Sequence, residues 1–410
     1  MKKLFLISTF LILTISAYAA PDLPLEMSFQ EYQEYYKSFS SIKSDEPTDN
    51  NVKQSITGGQ KMNAWLGKIN ANRSDDNKVR LTSKSYQRGI PVDKPSKYGP
   101  STIEKRLNDL KKNMPKNLFS IIYGLKEILN HPNGSDEDFI KWARKSSDLY
   151  QTAVRWSGSQ RWLSHYEKRR VKDVRGYYYL KDLKDLDYQL KNFKTLSIEQ
   201  QEKLKEALFG ICLNDIKRDK RCRKNIINAA KKNTLTSFKK RYWAAAVANW
   251  HTFWRISNPR NDVKWPSSNL SEMRITFKDP KNALIANWLR DNIEDEFKFA
   301  PENWNLKMDF VSSGLGTAYL EFKANVTPHV SGGNKVVMDK NTDIEEYSVK
   351  WTIRHEYGHI LRLPDCYFEF YDKTRKLMIN YQLDVSDLMC SRAGFMNERI
   401  YKELKRVYFK

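Results

Sequence analysis

The chain has 410 residues, 71 Lys+Arg against 49 Asp+Glu, and a formal net charge of +22. That length is ample for two or three domains of about 100–200 residues each. Beyond the extreme N-terminus no stretch is apolar enough to span a bilayer as a helix, so no transmembrane segment is expected in the mature chain. The positive excess is uneven. Residues 261–410 carry 22 basic and 22 acidic side chains, whereas residues 1–260 carry 49 and 27. A basic region of this kind can meet anionic polymers, lipid surfaces or nucleic acid. No nucleic-acid motif accompanies it, so no specific nucleic-acid partner is expected. The plain reading is solvated helix faces, with anionic-surface contact as the alternative.

Residues 1–19 read as a cleavable signal peptide. Lys2 and Lys3 precede an apolar run over residues 4–16, and Ala17 and Ala19 supply small residues at the cut. The expected location is therefore secreted or periplasmic. Export makes bridges the natural reading of four cysteines. Cys212 with Cys222, and Cys366 with Cys390, is one of three connectivities; free buried thiols are the alternative.

Residues 20–100 are polar and poor in pattern, and read as a leader that is partly disordered. Residues 101–260 read as a mainly α-helical basic domain. Ser101 with Glu104 suggests a capping box, and apolar residues from Leu107 to Leu129 keep helical spacing until His131-Pro132-Asn133-Gly134. Ser197 with Gln200 suggests another box. Phe238, Trp243, Val247, Trp250 and Trp254 form a stripe better read as packing than as a ligand cage. Pro259 and Pro266 mark a linker over 257–268.

From residue 261 the pattern changes. Met273, Ile275 and Phe277 alternate as in a strand, and Asp279-Pro280 reads as a helix start. Leu306, Met308 and Phe310 alternate again, as do Leu320 and Phe322. Lys335–Asp339 is a short strand. Thr342 with Glu345 opens the next helix, followed by a long loop and a last helix over 397–408. The order of elements defines an α+β unit over 261–410.

The helix after Thr342 contains His355-Glu356-Tyr357-Gly358-His359. Two histidines four residues apart lie on one helix face, where both imidazoles can reach one Zn²⁺. Glu356 points about 100° away around the axis, toward the open side of such a metal. There it can take a proton from zinc-bound water, which is what hydrolysis of a peptide bond requires. A catalytic zinc needs a third protein ligand. Pro364 ends regular helix, and a turn after His359 can bring Asp365 back to the metal. Cys366, Glu369 and Glu398 are the alternatives. His329 reads as a loop or strand histidine, with a place near the substrate groove as the alternative.

His355 to Asp365 resembles the zinc signature of the metzincin metalloproteases, HExxHxxGxxH/D, and the Leu363-Pro364-Asp365 ending resembles its secreted snapalysin-like members. Ser386-Asp387-Leu388-Met389-Cys390 resembles their methionine turn, with Met389 beneath the metal. The resemblance covers 268–410. It implies a twisted mixed sheet with three helices, Zn²⁺ held by His355, His359 and Asp365, and Glu356 as the base. It also implies a protein or peptide substrate paired along an edge strand, taken as Val336, Val337 and Met338. Three positions depart from the pattern, one being Cys366, which directly follows the third ligand. Arg362 stands where the family has glycine, at a left-handed cost of about 1–2 kcal/mol. Ser391 stands where many members have tyrosine.

Three functions follow: a secreted zinc endopeptidase, a zinc-stabilised surface-binding protein without catalysis, and a zinc amidase acting on cell-wall peptides. The N-terminal region reads either as a removable pro-region or as a permanent docking domain.

Overall fold

The computed structural model describes residues 49–83, 96–312, 314 and 316–410. The signal-peptide reading of 1–19 lies outside them. Among the described residues no helix is long and apolar enough to cross a membrane.

The first described element corrects the leader reading for residues 49–70; residues 20–48 and 84–95 of that stretch lie outside the described residues. Helix α1 (Asp49–Asn70) buries Val52, Met62, Trp65, Leu66 and Ile69. Its apolar stripe is hidden in the sequence by Gly58-Gly59, which argue against a helix by propensity. Both are there for close approach. A Cβ at Gly58 would overlap the Tyr123 ring, and one at Gly59 would overlap Tyr150.

Strand β1 (Ser96–Tyr98) and helices α2 (Pro100–Asn113), α3 (Lys116–Ile122), α4 (Asp136–Ser159) and α5 (Leu163–Arg169) follow. The N-cap of α2 lies two residues before the expected Ser101: it is Gly99, and its N–H donates to Thr102 Oγ1 at 2.9 Å. The apolar run after it does not continue as helix; α3 stops at Ile122 and Leu125 is fully exposed. These elements close a first helical core around Trp65, Ile103 and Phe139.

A second helical core is built from α6 (Arg175–Lys181), α7 (Leu186–Lys191), α8 (Ile198–Ile216), α9 (Asp219–Lys231) and α10 (Leu235–His251). Ser197 and Gln200 form the expected capping box of α8. The tryptophan stripe is packing: Trp243 and Trp250 meet Tyr177 with tilted rings, and Trp250 meets Trp254 the same way.

The C-terminal half comprises β2 (Val263–Lys264), β3 (Glu272–Lys278), α11 (Ala283–Glu296), β4 (Lys298–Phe299), β5 (Trp304–Val311), β6 (Tyr319–Lys323), β7 (His329–Ser331), β8 (Lys335–Asp339), α12 (Tyr347–Ile360), β9 (Tyr367–Asp372), β10 (Leu377–Gln382) and α13 (Glu398–Tyr408). The protein is thus α+β. Two expected helix starts move: Asn282 caps α11 through Ile285 N, and Glu346 occupies the N-cap of α12. The expected long loop after α12 holds the antiparallel β9–β10 hairpin.

Strands β3 and β5 run parallel, as do β6 and β8, and a bridge from Phe277 to Ala318 links the two groups. The strands therefore lie in the order β5, β3, β6, β8, β7. This corrects the edge assignment. Val336, Val337 and Met338 are in β8, which is paired on both sides, and the edge is β7, antiparallel to it. The physical sign was present: a run of three wholly buried apolar residues belongs to an interior strand. A short polar segment such as His329–Ser331 suits an edge.

The two halves are interlocked. Strand β1 adds to β10, with Tyr98 opposite Met378, and Met378 belongs to the first helical core. Val174, Phe253 and Ile256 in turn belong to the C-terminal core.

Candidate metal centre

Helix α12 buries Val349, Ile353, Tyr357 and Ile360 against the sheet and α11. That packing turns His355 and His359 together, with ring centroids 4.9 Å apart and planes perpendicular. Each ring is anchored through Nδ1: His355 to Leu388 O at 2.7 Å, His359 to Leu363 O at 2.9 Å. A carbonyl only accepts, so each Nδ1 carries the proton and donates it. Both Nε2 lone pairs then face inward, an arrangement typical of metal-binding imidazoles.

The third group meets them. Helix α12 ends in a left-handed residue, Arg362, at φ +65°. Leu363 N donates back to Gly358 O at 3.0 Å, which closes the helix end and turns the chain. This is the conformation expected where the family pattern has glycine. The Arg362 guanidinium lies over Gly333, in the β7–β8 turn. The turn delivers Asp365, whose Oδ1 lies 3.2 Å from His355 Nε2 and 3.1 Å from His359 Nε2. That oxygen is buried and has no hydrogen-bond partner.

The donor set itself tests the fit of a cation. Two imidazole lone pairs and a carboxylate oxygen converge, and neutral imidazoles anchored in this way bring no proton to share among them. Such a cluster is satisfied by a cation, and its N,N,O set suits zinc. Without a metal a proton takes that role. Burial lowers the His359 pKa, but the Asp365 carboxylate beside it more than offsets this and holds it up at about 9. Burial likewise raises Asp365, and the two imidazoles bring it well below the usual carboxylate range.

Glu356 is buried and lines the cavity with His355. Burial pushes its carboxyl up, against the pull of the two imidazoles. Met389 lies under the site: a Cβ on Gly358 would overlap its sulfur. The turn carrying Met389 is held by Asp387, which is fully buried, accepts from Met389 N at 2.8 Å, and is paired with Arg399 Nε at 2.6 Å. Cys366 and Cys390 are bridged, as are Cys212 and Cys222. Cys366 N also donates to Met389 O at 3.1 Å, so the ligand loop and the methionine turn are joined twice.

The alternative ligands point elsewhere. Cys366 has its sulfur in the bridge. Glu369 faces the first helical core, 2.8 Å from Arg155 Nη2 and 2.5 Å from the Tyr98 hydroxyl. Glu398 pairs with Lys402 at the surface. His329 opens the edge strand, exposed, with Nδ1 2.8 Å from Thr327 O.

Two features were missed from sequence. Tyr367, two residues past Asp365, stacks on the His355 ring at 6.3 Å. No spacing rule flags it, because its place follows from the β9 register. The second is the roof. The site opens into a cavity of about 500 Å³ whose walls come from both halves: Tyr98, Tyr150 and Arg155 on one side, Asp339, Glu356 and Tyr367 on the other. Tyr150 OH donates to Asp339 Oδ2 at 2.6 Å across it.

No family model, curated protein or solved structure matches this chain.

Proposed function

We propose that the protein is a zinc-dependent endopeptidase that acts outside the cytoplasm. The observation that carries this reading is the convergence of His355 Nε2, His359 Nε2 and Asp365 Oδ1 beside a buried glutamate in a cavity. Zinc, when bound there, supplies a Lewis acid for the peptide carbonyl and makes water a nucleophile at neutral pH. The chain's own groups do the rest. Leu388 O and Leu363 O fix the imidazole tautomers and aim both rings. Glu356 takes a proton from the attacking water and returns it to the leaving amine, and its raised pKa suits both halves of that task. An extended substrate pairs with the outer edge of β7, the sheet edge that contacts α12. A purely structural zinc site has no use for a buried glutamate at that position. The two bridges, and the absence of free cysteines, support action in an oxidising compartment.

The test is zinc content and peptide hydrolysis of the full mature chain beside its Glu356→Gln variant. Gln is expected to keep about one metal per chain and to lower kcat by roughly 10²–10⁴-fold, the usual range for a general base. Unchanged hydrolysis in the variant, or no metal in either protein, overturns the reading.

A further inference from the structure

The cationic excess has a definite place in the fold, remote in sequence from the metal centre. Residues 217–241 hold eleven Lys or Arg and one acid, Asp219. They form the α8–α9 turn, all of α9 and the start of α10. Cys222, Ile226 and Ala229 of α9 face inward onto the second helical core. On the opposite side Lys220, Arg223, Lys224, Ile227 and Lys231 follow at spacings of three and four, so they make one outward stripe. All five are exposed. Ile227, at the middle of the stripe, is 52% exposed.

The charge is not neutralised internally. Among the described residues Arg223 pairs with Glu206 at 3.4 Å and Lys239 with Asp187 at 2.7 Å. Asp219 is turned to Arg170 at 3.5 Å. The other nine cations have no acidic partner within 4 Å among the described residues. The Cys212–Cys222 bridge fastens α9 to α8 from beneath, with both sulfurs buried. The cationic helix is thereby held in place against its own repulsion.

We propose that the outer face of α9 docks the protein on an anionic lipid surface. Charge complementarity names the class of partner, and Ile227 selects within it. An exposed branched alkyl group ringed by long cationic side chains suits a headgroup layer. The Ile side chain enters the acyl boundary while the lysine ammoniums stay with the phosphates. A phosphate backbone of nucleic acid offers the cations the same charge but gives the isoleucine nothing to enter. This inference is independent of the peptidase reading.

The test uses the full mature chain and vesicles of phosphatidylcholine alone or mixed equally with phosphatidylglycerol, read by co-flotation at low and high salt. Binding is expected only to the anionic vesicles and is expected to weaken with salt. Each cation reaching the surface is worth about fivefold in partitioning. The triple variant K220Q/K224Q/K231Q should therefore lose roughly 100-fold. A control removing equal charge from α2, K105Q/K111Q/K112Q, should stay close to the parent. Ile227→Ser should cost about tenfold on vesicles and nothing on duplex DNA. Far-UV circular dichroism and thermal melts check that the variants fold. Equal binding to neutral vesicles, or equal loss in the α2 control, overturns the proposal. So does duplex DNA binding tighter than the vesicles with no effect of Ile227→Ser; that last result assigns the face to a polyanion instead.

Discussion

Gly358 lies between the two histidines in sequence and directly above the Met389 sulfur in space. On helix propensity alone, alanine there would stabilise α12 by up to about 1 kcal/mol. The overlap with Met389 outweighs that gain. Overpacking a closed site costs about 1–3 kcal/mol, and the methionine turn it pushes on also holds His355 through Leu388 O. Gly358→Ala is expected to lower both the melting temperature and the zinc content. A variant that melts higher with full zinc would show that Met389 does not limit the space beneath the site. The candidate site residues were legible at this scale, because HExxH is a local pattern on one helix. Tyr367 was not, because its proximity to His355 comes from the register of the β9–β10 hairpin, which residue spacing does not fix.

At the scale of elements, the stretch 257–268 corrects its own reading as a linker. Arg260 is 8% exposed and donates to Gly316 O at 3.0 Å and Gly333 O at 3.2 Å, while Asp262 holds its guanidinium at 2.6 Å. Trp265 is buried, and Ser267 N donates to Lys410 O. The two prolines suggested a hinge, but the segment straps β3, the β7–β8 turn and the C-terminus together. Its strength depends on pH with a definite sign. Burial raises the Asp262 carboxyl, but the Arg260 hydrogen bond and charge more than reverse this, so the folded pKa lies below the usual value. The stabilisation is present above the unfolded pKa, near 3.9, and is lost as pH falls through the folded one. Asp262→Asn should therefore lower the melting temperature at neutral pH and by progressively less toward acid pH. A deficit that is constant or grows with acid would show that Asp262 is not the titrating group.

For the whole molecule, the question is whether 261–410 stands alone. Without the preceding residues β10 loses its partner β1. Glu346, at the N-cap of α12, loses the donors Leu81 N, Thr82 N and Thr82 Oγ1, at 2.9, 3.0 and 2.7 Å. Glu369, nearly buried, loses Arg155. Removing one partner of a buried pair costs about 3–5 kcal/mol, against a total stability of about 5–15 kcal/mol for a domain. The fragment 261–410 is therefore expected to show no cooperative melt and no hydrolysis, while the full chain is expected to show a cooperative melt and, on the proposed function, hydrolysis. A secreted form that begins near residue 260 and cleaves peptides would restore the pro-region reading. The interlock and the shared cavity support the permanent one.

The sequence by itself determined what depends on near neighbours: the α+β class, the helix that carries the HExxH pattern with its two histidines and glutamate on the candidate site, and the left-handed turn at Arg362. The cysteine pairs were among the connectivities it allowed. Tertiary structure alone decided that β8 is interior and β7 the edge, since strand order depends on pairing and not on spacing. It also decided that the polar stretch before residue 100 holds a buried helix. There the glycines that spoil its propensity are what admit Tyr123 and Tyr150. And it alone decided that the cleft has two walls, because the contacts that build it join residues more than 170 positions apart.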